Sequence, residues 1–125
     1  MIVGMGMDLC EIDRIEKMVD RWGTRFTEKL FTEGERAYAS SKAHSGQHYA
    51  ARFAVKEATL KALCVPRGLS WKEMEVVGGG AEPPRLKLHG KAAEAAKAMG
   101  IGSLHVTISH AAGLAVAVVV AEKAE

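Results

Sequence analysis

The residues of this chain with the clearest chemical potential are two carboxylates and a lysine. Glu57 and Lys61 stand four apart in the run Arg52-Phe53-Ala54-Val55-Lys56-Glu57-Ala58-Thr59-Leu60-Lys61-Ala62-Leu63, a spacing that projects both from one side of a helix. Phe53 and Leu60 flank them on one hand and Ala54, Ala58 and Ala62 on the other. Among such neighbours a charge must be paired or hold an ion, and a buried structural pair fits the position as well as a functional one. Arg52, Lys56 and Thr59 fall on the opposite edge, which reads as the solvent stripe. Asp8 ends a strand-like run in which Gly4 and Gly6 share its face, leaving room for backbone or ligand to come close. The Gly4-Met5-Gly6-Met7-Asp8 run lacks the third glycine of a dinucleotide loop, and an aspartate at a strand end alone reads as a turn former or cap. A third element is Val106-Thr107-Ile108-Ser109-His110. Ser109 and His110 point to alternate faces of a strand, so they do not form a nucleophile–base pair, and a lone histidine there is commonly structural.

These residues need elements to hold them. Alternation over Ile2 to Leu9 predicts a strand, with Ile2, Gly4, Gly6 and Asp8 on one face and Val3, Met5, Met7 and Leu9 on the other. A helix should run from about Asp13 to Trp22, with Ile12, Ile15, Val19, Trp22 and Phe26 on one stripe and Arg14, Met18, Arg21 and Arg25 on the other, Gly23 and Thr24 interrupting it before Arg25. Thr32 and Glu35 form a capping-box signal for a short helix through Tyr38. Ser41 to Gly46 reads as a loop and Gln47 to Leu63 as the central helix, apolar nearly all round and ended by Pro66 and Gly68. Strands over Met74 to Val77 and Leu86 to His89 flank the glycine loop Gly78-Gly79-Gly80, and a helix follows over Lys91 to Met99. Leu104 to Ser109 and Leu114 to Val120 alternate and are joined through Ala111-Ala112-Gly113 as a hairpin. The order implies an α+β fold, one small domain over residues 1–125, with an antiparallel sheet packed on the long central helix. Leu114, Val116, Val118 and Val120 leave the last strand apolar on a second face as well, and that face needs a cover.

Composition narrows the function classes. The chain has 125 residues, 48% apolar and 26% charged, ordinary values for one globular domain. A net charge of +2 with 6% aromatic residues offers neither the field nor the stacking platform that nucleic acid needs. No signal peptide or membrane span is expected, since the first apolar run stops at Asp8 and Glu11 and none approaches the ~20 residues of a span. Cys10 and Cys64 form no ligand cluster and read as small apolar fillers in a reducing, cytoplasmic compartment.

Taken together, Gly4-x-Gly6-x-Asp8-x-x-x-Ile12-x-Arg14, Phe31-Thr32-x-x-Glu35, Ala51-Arg52-Phe53-Ala54-x-Lys56-Glu57-Ala58-x-x-Lys61-Ala62 and Val106-Thr107-Ile108-Ser109-His110 resemble the holo-acyl-carrier-protein synthases. These are the small stand-alone members of the 4′-phosphopantetheinyl transferases, and the resemblance spans Met1 to about Glu122. It departs at Ala81-Glu82-Pro83-Pro84, where a glycine and a basic residue would precede the proline. The resemblance implies Mg²⁺ held by Asp8 and Glu57, an ion that takes one or two carboxylates and completes its shell with water and phosphate oxygens. It implies coenzyme A as substrate, with Lys61 on the pyrophosphate and Ser109 and His110 at the nucleotide, and acyl carrier protein as partner, serving fatty acid biosynthesis. Glu57, His110 and a metal-bound water stand as candidates for the base. The basic residues Arg14, Arg21 and Arg25, with Met18 among them, would seat an acidic carrier. The resemblance also implies a homotrimer closed about a three-fold axis, with active sites at the subunit junctions. A catalytically silent carrier-binding module and another magnesium-dependent nucleotide enzyme are the competing readings.

Overall fold

Strand β1 (Ile2–Glu11) opens the computed structural model, which describes residues 1–64 and 68–125. Helices α1 (Ile12–Trp22), α2 (Thr24–Leu30), α3 (Glu33–Ser40) and α4 (Ser45–Leu63) follow. Gly23, at φ 55 and ψ −132, breaks α1 from α2, a backbone geometry that glycine adopts without penalty. The Thr32–Glu35 capping box starts α3 as expected. The long helix closes at Cys64, whose φ of 54 is left-handed; Pro66, expected to help end it, lies outside the described residues. A short 3-10 turn (Trp71–Glu73) leads into the hairpin β2 (Met74–Gly79) and β3 (Glu82–Leu88). Helix α5 (Gly90–Ala98) and the hairpin β4 (Ile101–Ala111) and β5 (Leu114–Lys123) complete the chain. Strand β3 starts earlier than periodicity indicates and takes in Pro83 and Pro84, which a two-stranded sheet tolerates because its strands are both edges.

The main sheet has the antiparallel order β1-β5-β4. Ala112 and Gly113, at φ 53 and 77, form the two-residue turn joining β4 to β5, the handedness that suits a tight hairpin. Helix α4 lies across one face of this sheet. Ala54, Ala58 and Ala62 of the helix meet Ala115, Ala117, Val119 and Ala121 of β5, and all of these are buried. Glycine sets the spacing: a Cβ on Gly4 would overlap the carbonyl oxygen of Ala62, and one on Gly6 that of Ala58. Backbone, rather than a ligand, fills the room left by these two glycines.

The far side of α4 overturns one expectation. Arg52, Lys56 and Thr59 form no solvent stripe; they are 3%, 0% and 0% exposed. Lys56 Nζ donates to Glu35 Oε1 at 2.7 Å, to Trp71 O at 3.0 Å and to Met74 O at 2.7 Å. Glu35 in turn accepts from the backbone N–H groups of Thr32 and Val76 at 2.9 Å each. The pair thus ties α3, α4, the 3-10 turn and β2 into one knot, with every strong donor and acceptor partnered, as burial of charge demands. Two smaller corrections concern the surface. Cys64 is exposed instead of filling the core. Trp22 is 42% exposed, and the guanidinium groups of Arg21 and Arg25 lie 5.0 and 5.9 Å from its ring centroid.

The other face of the sheet is open. Met5, Met7 and Leu9 of β1 are more than half exposed. They pair laterally with Val120, Val118 and Val116 of β5, which face His105, Thr107 and Ser109 of β4.

Candidate active site

Strand β1 and helix α4 run side by side at glycine–alanine distance, so a side chain at the end of the glycine face meets the exposed edge of the helix. Asp8 and Glu57 meet there. Lys61 Nζ donates to Asp8 Oδ1 at 3.1 Å and to the Met7 carbonyl oxygen at 2.9 Å. Glu57 is partly buried and makes no ion pair within 4 Å among the described residues. Burial, then the adjoining Asp8 carboxyl, push its pKa up to about 7. Two carboxylates forced together with incomplete neutralisation are a site that favours a cation.

The cleft beside them holds about 430 Å³ and is lined by Asp8, Glu57, Arg14, Met18, Phe26 and Phe53, with Cys10 at its floor. Burial, and then the charges of Asp8 and Glu57, raise the Cys10 thiol to about 11, so this cysteine stays a neutral wall residue. Arg14 and Met18 therefore share a surface with the carboxylates. Arg21 and Arg25 stand beyond them on either side of the Gly23 break, gathered around Trp22.

The donor set admits a magnesium ion. Both candidate ligands are carboxylates, and among the described residues no group of three or more His, Cys, Asp and Glu side chains gathers as a metal cage. A hard cation that keeps water and takes phosphate oxygens needs no more than the pair; a zinc site would want nitrogen or sulfur ligands.

Ser109 and His110 are not brought to that cleft within one chain. His110 Nε2 lies 3.0 Å from Gln47 Nε2 and lines a separate groove of about 300 Å³ with Tyr38, His48, Arg52 and the Gly79-Gly80 loop. Arg52 lies 4.0 Å above the Tyr38 ring, donates from Nη2 to Gly78 O at 2.9 Å, and leaves its Nε buried without a partner among the described residues. Lys42 lies 4.8 Å from the same ring on its ammonium side. Burial, followed by the charges of Arg52, Lys42, His110 and His44, lowers the His48 pKa. This groove is glycine-edged and carries Arg52 and two histidines against one carboxylate, Glu82, a setting that admits a phosphate. Sequence reasoning assigns no site role to Lys42 and His48, and sets Arg52 on a solvent stripe. The recurrence of His44, His48 and Arg52 every four residues is the signal that places them on one face of α4.

Comparison with known proteins places the chain in a family. A family model described as the 4′-phosphopantetheinyl transferase superfamily matches residues 4–119, and the chain belongs to that superfamily. Within it, the chain is 46% identical over 125 residues to the holo-acyl-carrier-protein synthase of Geobacter sp. (strain M21), covering 98% of this chain and 100% of that one. It is 42% identical over 124 residues to the synthase of Solibacter usitatus (strain Ellin6076), at 98% and 99% coverage. Among solved structures, the synthase of Neisseria meningitidis superposes with a TM-score of 0.88 at 26% identity, covering 98% of this chain and 100% of that one. That of Helicobacter pylori, in complex with coenzyme A, gives 0.81 at 35% identity, with coverage of 94% and 99%. The α+β architecture of a small sheet packed on a long helix is theirs as well.

Proposed function

We propose that this chain is a holo-acyl-carrier-protein synthase, transferring the 4′-phosphopantetheine arm of coenzyme A to a serine of an apo acyl carrier protein. The observation that carries the proposal is the meeting of Asp8, Glu57 and Lys61 beside a cleft whose rim bears Arg14 and Met18. In the reaction the serine oxygen bonds to the phosphorus carrying the pantetheine arm, and the bond from that phosphorus to the bridging oxygen breaks. Adenosine 3′,5′-bisphosphate leaves with the bonding pair, and the serine hydroxyl gives up its proton. Phosphoryl transfer needs positioning and charge neutralisation above all.

Asp8 and Glu57 would hold Mg²⁺, whose bound charge would supply neutralisation for the pyrophosphate. Lys61, at the exposed edge of α4, adds a point charge for the same oxygens. Glu57 would in this reading also accept the serine proton. The groove of His48, Arg52 and His110 would receive the nucleotide end of coenzyme A, with Lys42 beside its Tyr38 wall; Ser109, on the other face of β4 against Val116, would reach a nucleotide only from the open face of the sheet. The acidic carrier would seat on Arg14, Met18, Arg21 and Arg25, with Trp22 as an apolar anchor.

Within one chain the carboxylate cleft and the phosphate groove are separate cavities. We therefore propose a homotrimer, in which the open face of Met5, Met7, Leu9, Val116, Val118 and Val120 packs about a three-fold axis and brings one subunit's cleft beside its neighbour's groove. A head-to-tail contact that closes as a ring achieves this with identical chains. We place the enzyme in the cytoplasm, supplying holo-carrier to fatty acid biosynthesis. No helix among the described residues is long and apolar enough to cross a membrane. The test is incubation with an apo carrier protein, coenzyme A and Mg²⁺. A phosphopantetheine adduct in the intact mass of the carrier is the expected result; carrier binding with no adduct would mark a silent binding module instead.

A further inference from the structure

Lys61 does something at the carboxylate pair that work on a pyrophosphate does not require. Its spacing from Glu57 offers it an ordinary helix-surface partner, yet its ion pair among the described residues is with Asp8, on another element, at 3.1 Å. A second bond, to the Met7 carbonyl oxygen at 2.9 Å, fixes the ammonium over strand β1. The Asp8 side chain is only 15% exposed, so water does little to neutralise it, whereas the lysine side chain is 56% exposed and has solvent into which it can swing. Arg14 lines the same cleft from α1 but makes no ion pair with Asp8 within 4 Å.

We infer that Lys61 is a displaceable stand-in for the divalent cation, holding the Asp8 carboxylate while the pair carries no metal and yielding it when a metal arrives. The inference rests on Asp8 and Glu57 being the metal ligands. A carboxylate so little hydrated is costly to leave bare, and the ammonium offsets that cost in the metal-free protein. A divalent ion then meets both an occupied ligand and a positive charge, so the lysine weakens metal binding even as it serves the phosphates. Phosphate oxygens that draw Lys61 away must tighten the metal by the same factor by which the metal tightens them. Lysine and metal would thereby reach the substrate together, and a phosphate ligand without the metal would find the lysine still engaged.

Binding of Mn²⁺ to the coenzyme-free protein, followed by the electron paramagnetic resonance of the free ion, tests this without any turnover. Lys61→Met and Lys61→Gln should each bind Mn²⁺ about five-fold more tightly than the unaltered chain, the penalty a unit charge within a few ångström of a divalent ion exerts at ordinary ionic strength. Asp8→Asn should bind it least. Circular dichroism melts confirm that the variants are folded, which the exposure of Lys61 favours. Equal or weaker Mn²⁺ affinity in both Lys61 variants, with Asp8→Asn still impaired, overturns the stand-in role and leaves the metal site intact. If the unaltered chain and Asp8→Asn bind Mn²⁺ alike, the carboxylates are not metal ligands and the stand-in role falls with that reading.

Discussion

At the scale of single residues, the Asp8–Glu57 pair concentrates negative charge at a place the fold only partly exposes. Removing either carboxylate to give Asp8→Ala or Glu57→Ala should cut transfer by about a hundredfold or more, the scale at which loss of one preorganised charge-stabilising group is felt. Far-ultraviolet circular dichroism should stay close to that of the unaltered chain. Normal turnover at ordinary magnesium in either variant contradicts the assignment. The same pair makes a pH prediction. Burial and Asp8 hold the Glu57 pKa at about 7, so below that pH the carboxyl carries a proton that a metal must displace. Calorimetric Mg²⁺ affinity should therefore be level at high pH and fall as pH drops through 7, approaching about tenfold per unit at the acid end. Affinity independent of pH between 6 and 8, within about a factor of two, would show either that Glu57 is not a ligand or that its carboxyl holds no proton near neutrality.

At the scale of elements, helix α4 carries two kinds of charge on its two sides, and the periodicity of the sequence assigned them the wrong way round in part. Asp8, Glu57 and Lys61 were legible because their motif spacing survives in the linear chain. The burial of Lys56 was not. On a helix that is apolar nearly all round, the row Arg52, Lys56 and Thr59 is the obvious candidate to face water, and nothing within the helix announces the partner. That partner, Glu35, lies on α3 and was accounted for locally by its capping box with Thr32. The side chain does both tasks: Oε1 completes the cap and takes the lysine, while Oε2 takes Val76 N–H. Lys56→Met should lower stability by about 3–5 kcal/mol, because it leaves the Glu35 charge buried without its counter-ion. Adding Glu35→Gln should recover part of that loss, and urea unfolding of the single and double variants measures both. A loss below about 1 kcal/mol in Lys56→Met would mean that the knot contributes little. Helix α1 offers the contrasting case, a charged face left open to solvent. Arg14→Glu should raise the KM for the carrier and flatten its dependence on salt, with coenzyme A affinity changed much less. Unaltered carrier kinetics would reduce the basic residues of α1 to a solvated surface.

At the scale of the whole molecule, the α+β order and the hairpin of β4 and β5 follow directly from local patterns, while the pairing of β1 with β5 depends on contacts between the two ends of the chain. The alternation of β1 did announce one feature of that pairing, a face of Val3, Met5, Met7 and Leu9 opposite the glycines. Only the sheet order β1-β5-β4 joins Met5, Met7 and Leu9 to Val116, Val118 and Val120 as a single apolar surface. Val118 sits in its central row, between Met7 and Thr107. Val118→Asp should leave a folded monomer that has lost transfer activity, seen by light scattering and by the carrier-mass assay together. An active species with monomer mass, in the unaltered chain or in this variant, would dissociate the open face from function.

The glycine seam between β1 and α4 has a consequence for how this protein can change. The two carboxylates ride on elements that touch through main chain, with no side chain interposed at Gly4 or Gly6. Their separation is therefore gauged by the backbone alone. Substitutions elsewhere in the core can accumulate, trading volume for volume, without altering the gap between the elements that carry Asp8 and Glu57. The freedom granted to the rest of the interior is withheld at two positions. There even one methyl group would collide with the Ala58 or Ala62 carbonyl, parting strand from helix and carrying Asp8 away from Glu57. The hydrophobic residues of this interior can thus be exchanged widely while the spacing of the strand and helix that carry Asp8 and Glu57 stays constant.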